Sequence, residues 1–258
     1  MSRRNALIGA GIALFGILAG VAYHLYSRPP QLDAPILKVI ANVSSIDSYV
    51  QHVDTEVVFP DRTLTIVGTY LNDFAAERFA SLSTTTLAIP DQPVELREHT
   101  FTHENIAIGN DVFLRVDTES DLLKQTGTIT YGPDWHHFTD RVIPEGFTDI
   151  AVPGPIHDSL VLLSENGTFL TLTEKHGKVM WGSEEFRRYT FIPSGLPAPA
   201  DSSLKALLER IGPGGTIDVW IDERTSTVRY LVTANDEYRS TTTVSGINTP
   251  LTVEPPLK

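Results

Sequence analysis

Cysteine is absent from all 258 residues, so the chain can form no disulfide, thiolate nucleophile or thiolate metal site. The same absence closes one anchoring route. Leu18-Ala19-Gly20 looks like the start of a bacterial lipobox, but Val21 stands where the lipidated cysteine would be. Basic residues are scarce, with Lys+Arg 20 against Asp+Glu 32 and a formal net charge of -12. An acidic surface repels phosphate backbones and anionic headgroups, which argues against nucleic acid as a partner. Catalytic signatures are missing as well: there is no GxSxG elbow, no Walker loop and no GxGxxG after a strand. Gly214-Gly215 precedes a strand pattern rather than a helix, so it reads as a turn and not as a phosphate cradle.

Long apolar runs are few, and one stands out. Ala6 to Tyr26 contains no Lys, Arg, Asp or Glu, and as a helix at ~1.5 Å per residue it reaches roughly 30 Å, the thickness of a bilayer core. Arg3 and Arg4 precede it and only Arg28 follows closely. That bias predicts a single-pass span with a cytoplasmic N-terminus and residues 28–258 outside the cytoplasm. Tyr23 and Tyr26 fall at the outer interface. A cleaved signal peptide is the competing reading, with Gly20 and Ala22 as small residues for a cleavage site, but the apolar run continues to Tyr26. Gly16 and Gly20 form a GxxxG pair that would let two such helices pack as a weak homodimer. The expected organisation is residues 1–27 as cytoplasmic tip and anchor, 28–32 as a linker stiffened by Pro29-Pro30, 33–249 as one extracytoplasmic domain and 250–258 as a loose tail.

Within the domain the pattern is α+β. Asp33 caps a helix with Pro35 in its first turn and an apolar stripe of Ile36, Val39, Ile40, Val43 and Ile46. From Ser48 the period changes to two, with Tyr49, Val53, Val57 and Phe59 on one face, then Leu64, Ile66 and Tyr70 alternating with threonines. Glu77 to Leu87 and Val94 to Leu96 extend the strand pattern, and Asn105 to Asp117 reads as a hairpin around Gly109-Asn110-Asp111. Gly127 to Tyr131, Thr168 to Thr173, Arg187 to Ile192 and Thr241 to Val244 are further candidate strands. Trp135 to Phe138 is read as an aromatic cover over a sheet end, and Ile156 to Leu163 as a helical segment. A helix capped by Asp201 or Ser202 carries Leu204, Leu207, Leu208 and Ile211 on one face and stops at Gly212-Pro213. Ile217, Val219 and Ile221 then pair across a turn with Val228, Tyr230 and Val232.

Two one-sided helices need an apolar sheet face to cover, and a sheet of some nine to eleven strands curls rather than lying flat. The expected result is a long curled antiparallel sheet, an unclosed half-barrel, with helices over its inner face. Such a hollow suits an apolar ligand. Phe59, Ile66, Tyr70, Val219, Ile221 and Tyr230 are the expected lining, with Trp220 on the opposite face.

Other side chains have plainer readings. His99 and His103 share a strand face about 13 Å apart at ~3.3 Å per residue, too far to share one ion, and read with His136-His137 as solvent or turn residues. No metal site and no cofactor are expected. Asp218 and Asp222 lie on the polar face of their strand, where solvation is the default. Asn42-Val43-Ser44 and Asn166-Gly167-Thr168 match the glycosylation sequon by pattern alone.

The order of elements, the segment Ile108-Gly109-Asn110-Asp111-Val112-Phe113-Leu114-Arg115 and the late hairpin through Trp220-Ile221-Asp222-Glu223-Arg224-Thr225 and Val228 to Thr233 resemble the LolA/LppX-like lipoprotein-localisation family. In that family the last hairpin commonly reads strand, Asp-x-x-Thr, strand. The resemblance spans roughly residues 33–245. It implies an unclosed antiparallel barrel lidded by helices and a non-catalytic carrier or sensor whose partner is a lipid, an acyl chain or a lipidated protein. The anchor departs from the family pattern, since members are soluble after cleavage or lipidated on cysteine, and a tethered protein favours a stationary role. Two other readings stand beside it: a structural or protein-interaction domain of the cell envelope with a filled core, and an envelope hydrolase built on carboxylates.

Overall fold

The computed structural model describes residues 32–42, 45–118, 120, 133–139, 169–196 and 203–256. The expected span over residues 6–26, the Gly16 and Gly20 pair, the strand over 127–131 and the helix over 156–163 lie outside these residues, as do the Asp201 and Ser202 caps and Asn166. No helix among the described residues is long and apolar enough to cross a membrane.

Among the described residues, eleven antiparallel strands form one unclosed sheet. They are β1 (Ser48–Val58), β2 (Thr63–Asp73), β3 (Arg78–Ala88), β4 (Glu98–Ile108), β5 (Asp111–Thr118), β6 (His136–Phe138), β7 (Leu170–Trp181), β8 (Glu184–Pro193), β9 (Thr216–Asp222), β10 (Thr227–Ala234) and β11 (Tyr238–Ser245). The spatial order is β6-β5-β4-β3-β2-β1-β11-β10-β9-β8-β7. The chain therefore meanders outward from β1 to one edge, restarts at the opposite edge with β7, and meanders back until β11 closes against β1. On their facing sides Thr55 Oγ1 and Ser240 Oγ meet at 2.7 Å across that seam.

Two helices of the described residues lie over one face. Helix α1 (Ala34–Asn42) is nine residues long, too short to hold itself together in water. Burial of Ile36 and Val39 in the main core supplies what the local sequence cannot. Asp33 pins its start: its carbonyl accepts from Leu37 N, and its carboxylate accepts a 2.6 Å hydrogen bond from Tyr189 Oη on β8. Burial first, and then this acidic partner, push the Tyr189 phenol far above its usual range. Helix α2 (Ser203–Ile211) ends as its glycine predicts, with Gly212 at φ 68° and its N–H on the Leu208 carbonyl. Ile211 is wholly buried and Leu208 packs against the same core, whereas the side chains of Leu204 and Leu207 lie outside the described set.

That core joins both helices to the inner face of β7 to β11 and the start of β1, through Leu172, Tyr189, Phe191, Ile217, Val219, Ile221, Leu231 and Val244 among others. Burying such side chains is worth ~1.5–3 kcal/mol apiece. The second half of the sheet is thus a packed scaffold.

Several departures from the sequence pattern have local causes. Val94–Leu96 is a single 3-10 turn, opened by Pro93, which has no N–H to give a ladder. Residues 136–138 pair with β5 as a short edge strand instead of capping the sheet end. The hairpin of β7 and β8 extends far beyond the expected Thr168–Thr173, because two bulges absorb polar residues; one of them places Gly177 at φ 67°, a conformation glycine adopts freely. Charged Glu174, Lys175 and Lys178 on this edge strand discourage pairing with another chain. The stretch from 250, read as a loose tail, carries no helix or strand but buries Val253.

Asn235 ties α2 to the sheet. Its Nδ2 donates to the carbonyls of Arg210 and Ile211 at 2.9 and 3.0 Å, while its Oδ1 accepts from the N–H groups of Glu237 and Tyr238. At ~0.5–1 kcal/mol per bond, loss of the four bonds in Asn235→Ala should lower stability by about 2–4 kcal/mol, read as a shift of the urea midpoint with the slope unchanged. A shift under about 0.5 kcal/mol would show that water replaces these bonds at no cost.

Candidate ligand-binding site

The pairing register fixes which side chains share the helix-bearing inner face. Across β2, β3, β4 and β5 run the rows Ile66-Thr85-Phe101-Thr118, Gly68-Ser83-His103-Val116, Tyr70-Ser81-Asn105-Leu114 and Asn72-Phe79-Ala107-Val112. With β1 these strands contain no bulge, so alternation is strict. Every Lys, Arg, Asp and Glu of β1 to β5 consequently falls on the outer face or at a strand end. The inner surface is formally uncharged, yet far from uniformly apolar: Ser81, Ser83, Thr85, His99 and His103 are buried on it.

Gly68 shapes its centre. A Cβ there would lie 2.9 Å from Tyr70 Cε2 and 3.0 Å from Tyr70 Oη, so the phenol ring folds back over the glycine. Its hydroxyl bonds to Ser83, and burial pushes its pKa up to about 12 despite that bond. Tyr70 therefore stays protonated. Beside it a cavity of about 610 Å³ opens at the sheet end formed by the β2–β3 and β4–β5 turns. Asn72, Phe79, Asn105, Ala107 and Val112 line its inner side, with Asp73, Glu77 and Arg78 at the rim.

His103 sits one row deeper, 3% exposed. Burial lowers its pKa, and the neighbouring charge of Glu104 only partly offsets this. The folded form therefore resists protonation below pH 6.5 while the unfolded chain accepts it, so acid favours the unfolded state. Stability should fall as pH drops from 6.5, and His103→Asn should flatten that slope. Equal slopes in urea titrations of the two proteins would contradict the assignment.

The expected lining residues are not all brought together. Ile66 and Tyr70 both lie on the inner face of β2, one inner position either side of Gly68. Val219 and Ile221 share the inner face of β9 but are wholly buried in the packed core under α1. Tyr230 is on the other face, because a bulge at Arg229 reverses the alternation after Val228. There it stacks on Trp181 at 4.6 Å and meets Phe186 edge-on, with Trp220 beside them. Phe59 lies past the end of β1 in the turn to β2, under the Arg62 guanidinium at 4.8 Å.

Two further readings are corrected. His99 and His103 are buried on the inner face of β4 rather than solvated, since alternation turns both inward. Asp218 and Asp222 are not simply solvated. Asp218 pairs with Arg188 at 2.8 Å and accepts a hydrogen bond from Thr190. Asp222, 6% exposed, accepts from Arg224 N and from its guanidinium. Burial alone would raise the Asp222 carboxyl, but these bonds and the Arg224 charge bring it below the usual range. The Asp-x-x-Thr signature is therefore a turn device, with Ser226 at φ 53° completing the reversal. Among the described residues no group of three His, Asp or Glu is placed to hold a metal ion.

The lining residues that pattern reading passed over are Asn72, Phe79, Asn105, Ala107 and Val112. Their signal was the parity of β3, where Ser81, Ser83 and Thr85 share the face of Phe79, a polar row on the face that the helices imply is inside.

No family model matches the sequence, and no curated protein does. Solved structures do resemble it. LprF from Mycobacterium bovis is 12% identical, with a TM-score of 0.48 over 87% of this chain and 96% of that one. The lipoprotein LppX from Mycobacterium tuberculosis is 13% identical, with a TM-score of 0.44 over 85% and 96%. A beta-barrel-like protein from Brucella abortus is 8% identical, with a TM-score of 0.33 over 79% and 98%. At these identities and scores, only the residues of this chain can carry a functional reading.

Proposed function

We propose that this protein holds an acyl chain, a lipid or a lipidated protein in the hollow of its β1–β5 half, without catalysing a reaction. In this reading residues 6–26 anchor it in the cell membrane with the N-terminus cytoplasmic, residues 28–32 space the domain from the bilayer, and the domain outside serves as a stationary receptor. The observation that supports it best is the division of labour along the sheet. One half buries its inner face in a hydrophobic core beneath two helices, while the other carries an uncharged inner face and a cavity of about 610 Å³, within the size range of small-molecule sites. Phe79, Ala107 and Val112 offer it an apolar wall. A carboxylate hydrolase finds less support: a proton-donating carboxyl needs a raised pKa, and Asp222 is displaced downward.

The test is extraction of the full chain, purified in detergent from membranes, followed by mass spectrometry of the organic phase. About one lipid per protein is expected, and Ala107→Trp should abolish most of it. Lipid no higher than in an unrelated single-pass protein purified alike would favour the structural or protein-interaction reading.

A further inference from the structure

On the inner faces of β2 and β4, four buried polar atoms have no hydrogen-bond partner among the described residues, Asn72 Nδ2, His99 Nε2, His103 Nε2 and Asn105 Oδ1, and those of Asn72, His103 and Asn105 fall in three successive rows. Asn72 and His103 are 5% and 3% exposed. A buried polar group left unpaired costs ~1–3 kcal/mol, a cost that a purely structural face would avoid with apolar side chains. These residues are also neighbours. Asn105 lies directly across from Ser81, which lies across from Tyr70, while His103 lies across from Ser83. Asn72 and Asn105 belong to the cavity wall as well. The patch offers an amide donor, an amide acceptor, an imidazole nitrogen and serine hydroxyls, and no cation.

We propose that this patch is a hydrogen-bonding seat for an uncharged, hydroxyl-bearing head of the bound molecule, such as a glycerol ester or a sugar, and that it discriminates against carboxylate and phosphate heads. The proposal rests on the reading that the hollow takes a lipid-like ligand, and adds which heads it accepts. An anionic head brought onto this face would give up its hydration with no Lys or Arg on the inner face of β1 to β5 to replace it, and at the rim Arg78 is outnumbered by Asp73 and Glu77, so the penalty is large. A neutral head with hydroxyl and ester oxygens would instead complete the open valences of Asn72 and Asn105, which line the cavity, with His103 buried one row behind them. Sites built to bond a polar group discriminate strongly against molecules lacking it, because their own polar atoms are then left unpaired.

The experiment is calorimetric titration of the full chain in nanodiscs, with empty nanodiscs titrated as the blank, using three eight-carbon probes at pH 7.5: 1-octanoylglycerol, octyl glucoside and octanoate. At least one neutral probe should bind 10-fold or more tightly than octanoate, and the tighter of the two neutral probes distinguishes a glycerol from a sugar head. Asn72→Leu with Asn105→Leu should erase that advantage while leaving octanoate within about 2-fold. These are near-isosteric apolar replacements that remove Asn72 Nδ2 and Asn105 Oδ1, which have no partner among the described residues, so the variant should fold with nearly unchanged stability. Octanoate binding as tightly as the neutral probes, or an advantage that survives in the double variant, overturns this proposal and leaves lipid binding standing. Absence of binding by all three probes overturns both.

Discussion

Replacing Phe191 by alanine should lower stability by about 3–5 kcal/mol, the range for truncating a buried aromatic residue in a well-packed core. Phe191 is among the largest fully buried side chains and belongs to the cluster joining α1 and α2 to the β7–β11 sheet. Neither helix is long enough to persist alone, so the core that Phe191 helps to fill is what keeps both in place. The loss should appear in equilibrium urea unfolding as a lower midpoint. Ligand bound per folded molecule should change little, since Phe191 is remote in the strand order from the cavity between β2 and β5. A loss below about 1 kcal/mol would mean that the second half is not a packed scaffold, and the contrast between the two halves would fail.

Ala107→Trp should do the reverse. Ala107 lines the cavity between Phe79 and Val112 on the inner face. Where a core is full, added bulk costs ~1–3 kcal/mol through strain; where a hollow exists, an indole can occupy it with little strain. The expected outcome is a change in stability below about 1 kcal/mol together with a 10-fold or greater loss of affinity for the best neutral probe. Severe destabilisation would show that the space near Ala107 is too small for a ligand. Full binding by a stable variant would place the ligand elsewhere.

How far the sequence already pointed to this arrangement depends on where its periodicity is clean. The strands from Ser48 to Ala88, the helix with Ile36 and Val39, and the glycine stop at Gly212 all follow from spacing and turn chemistry, and the structure has them. Reading failed where one residue breaks the alternation. Arg229 is an extra residue in β10, and it alone moves Tyr230 to the outer aromatic cluster, because a shift of one residue exchanges the two faces of a strand. The β7 strand was hidden by its bulges and by Gly177. The lining is hidden for a different reason: apolar alternation marks an inner face, and the inner face of β3 and β4 is largely polar. Burial of Ser81, Ser83 and His103 comes from long-range pairing that local pattern cannot express. Val219 and Ile221 were placed on the right face of their strand, but only packing against α1 decides that this part of the face is filled.

The central claim is that a bound lipid-like molecule lies against the inner face of the β1–β5 half. It is tested most directly by placing the photocrosslinker p-benzoylphenylalanine at Phe79, on the inner face beside the cavity, and in a second protein at Phe113, on the outer face where the ring stacks on His137. After irradiation of cell membranes holding each full chain, intact-protein mass spectrometry should find a lipid-sized adduct at position 79 and none at 113. Adducts of equal yield at both positions, or none at position 79, would contradict it.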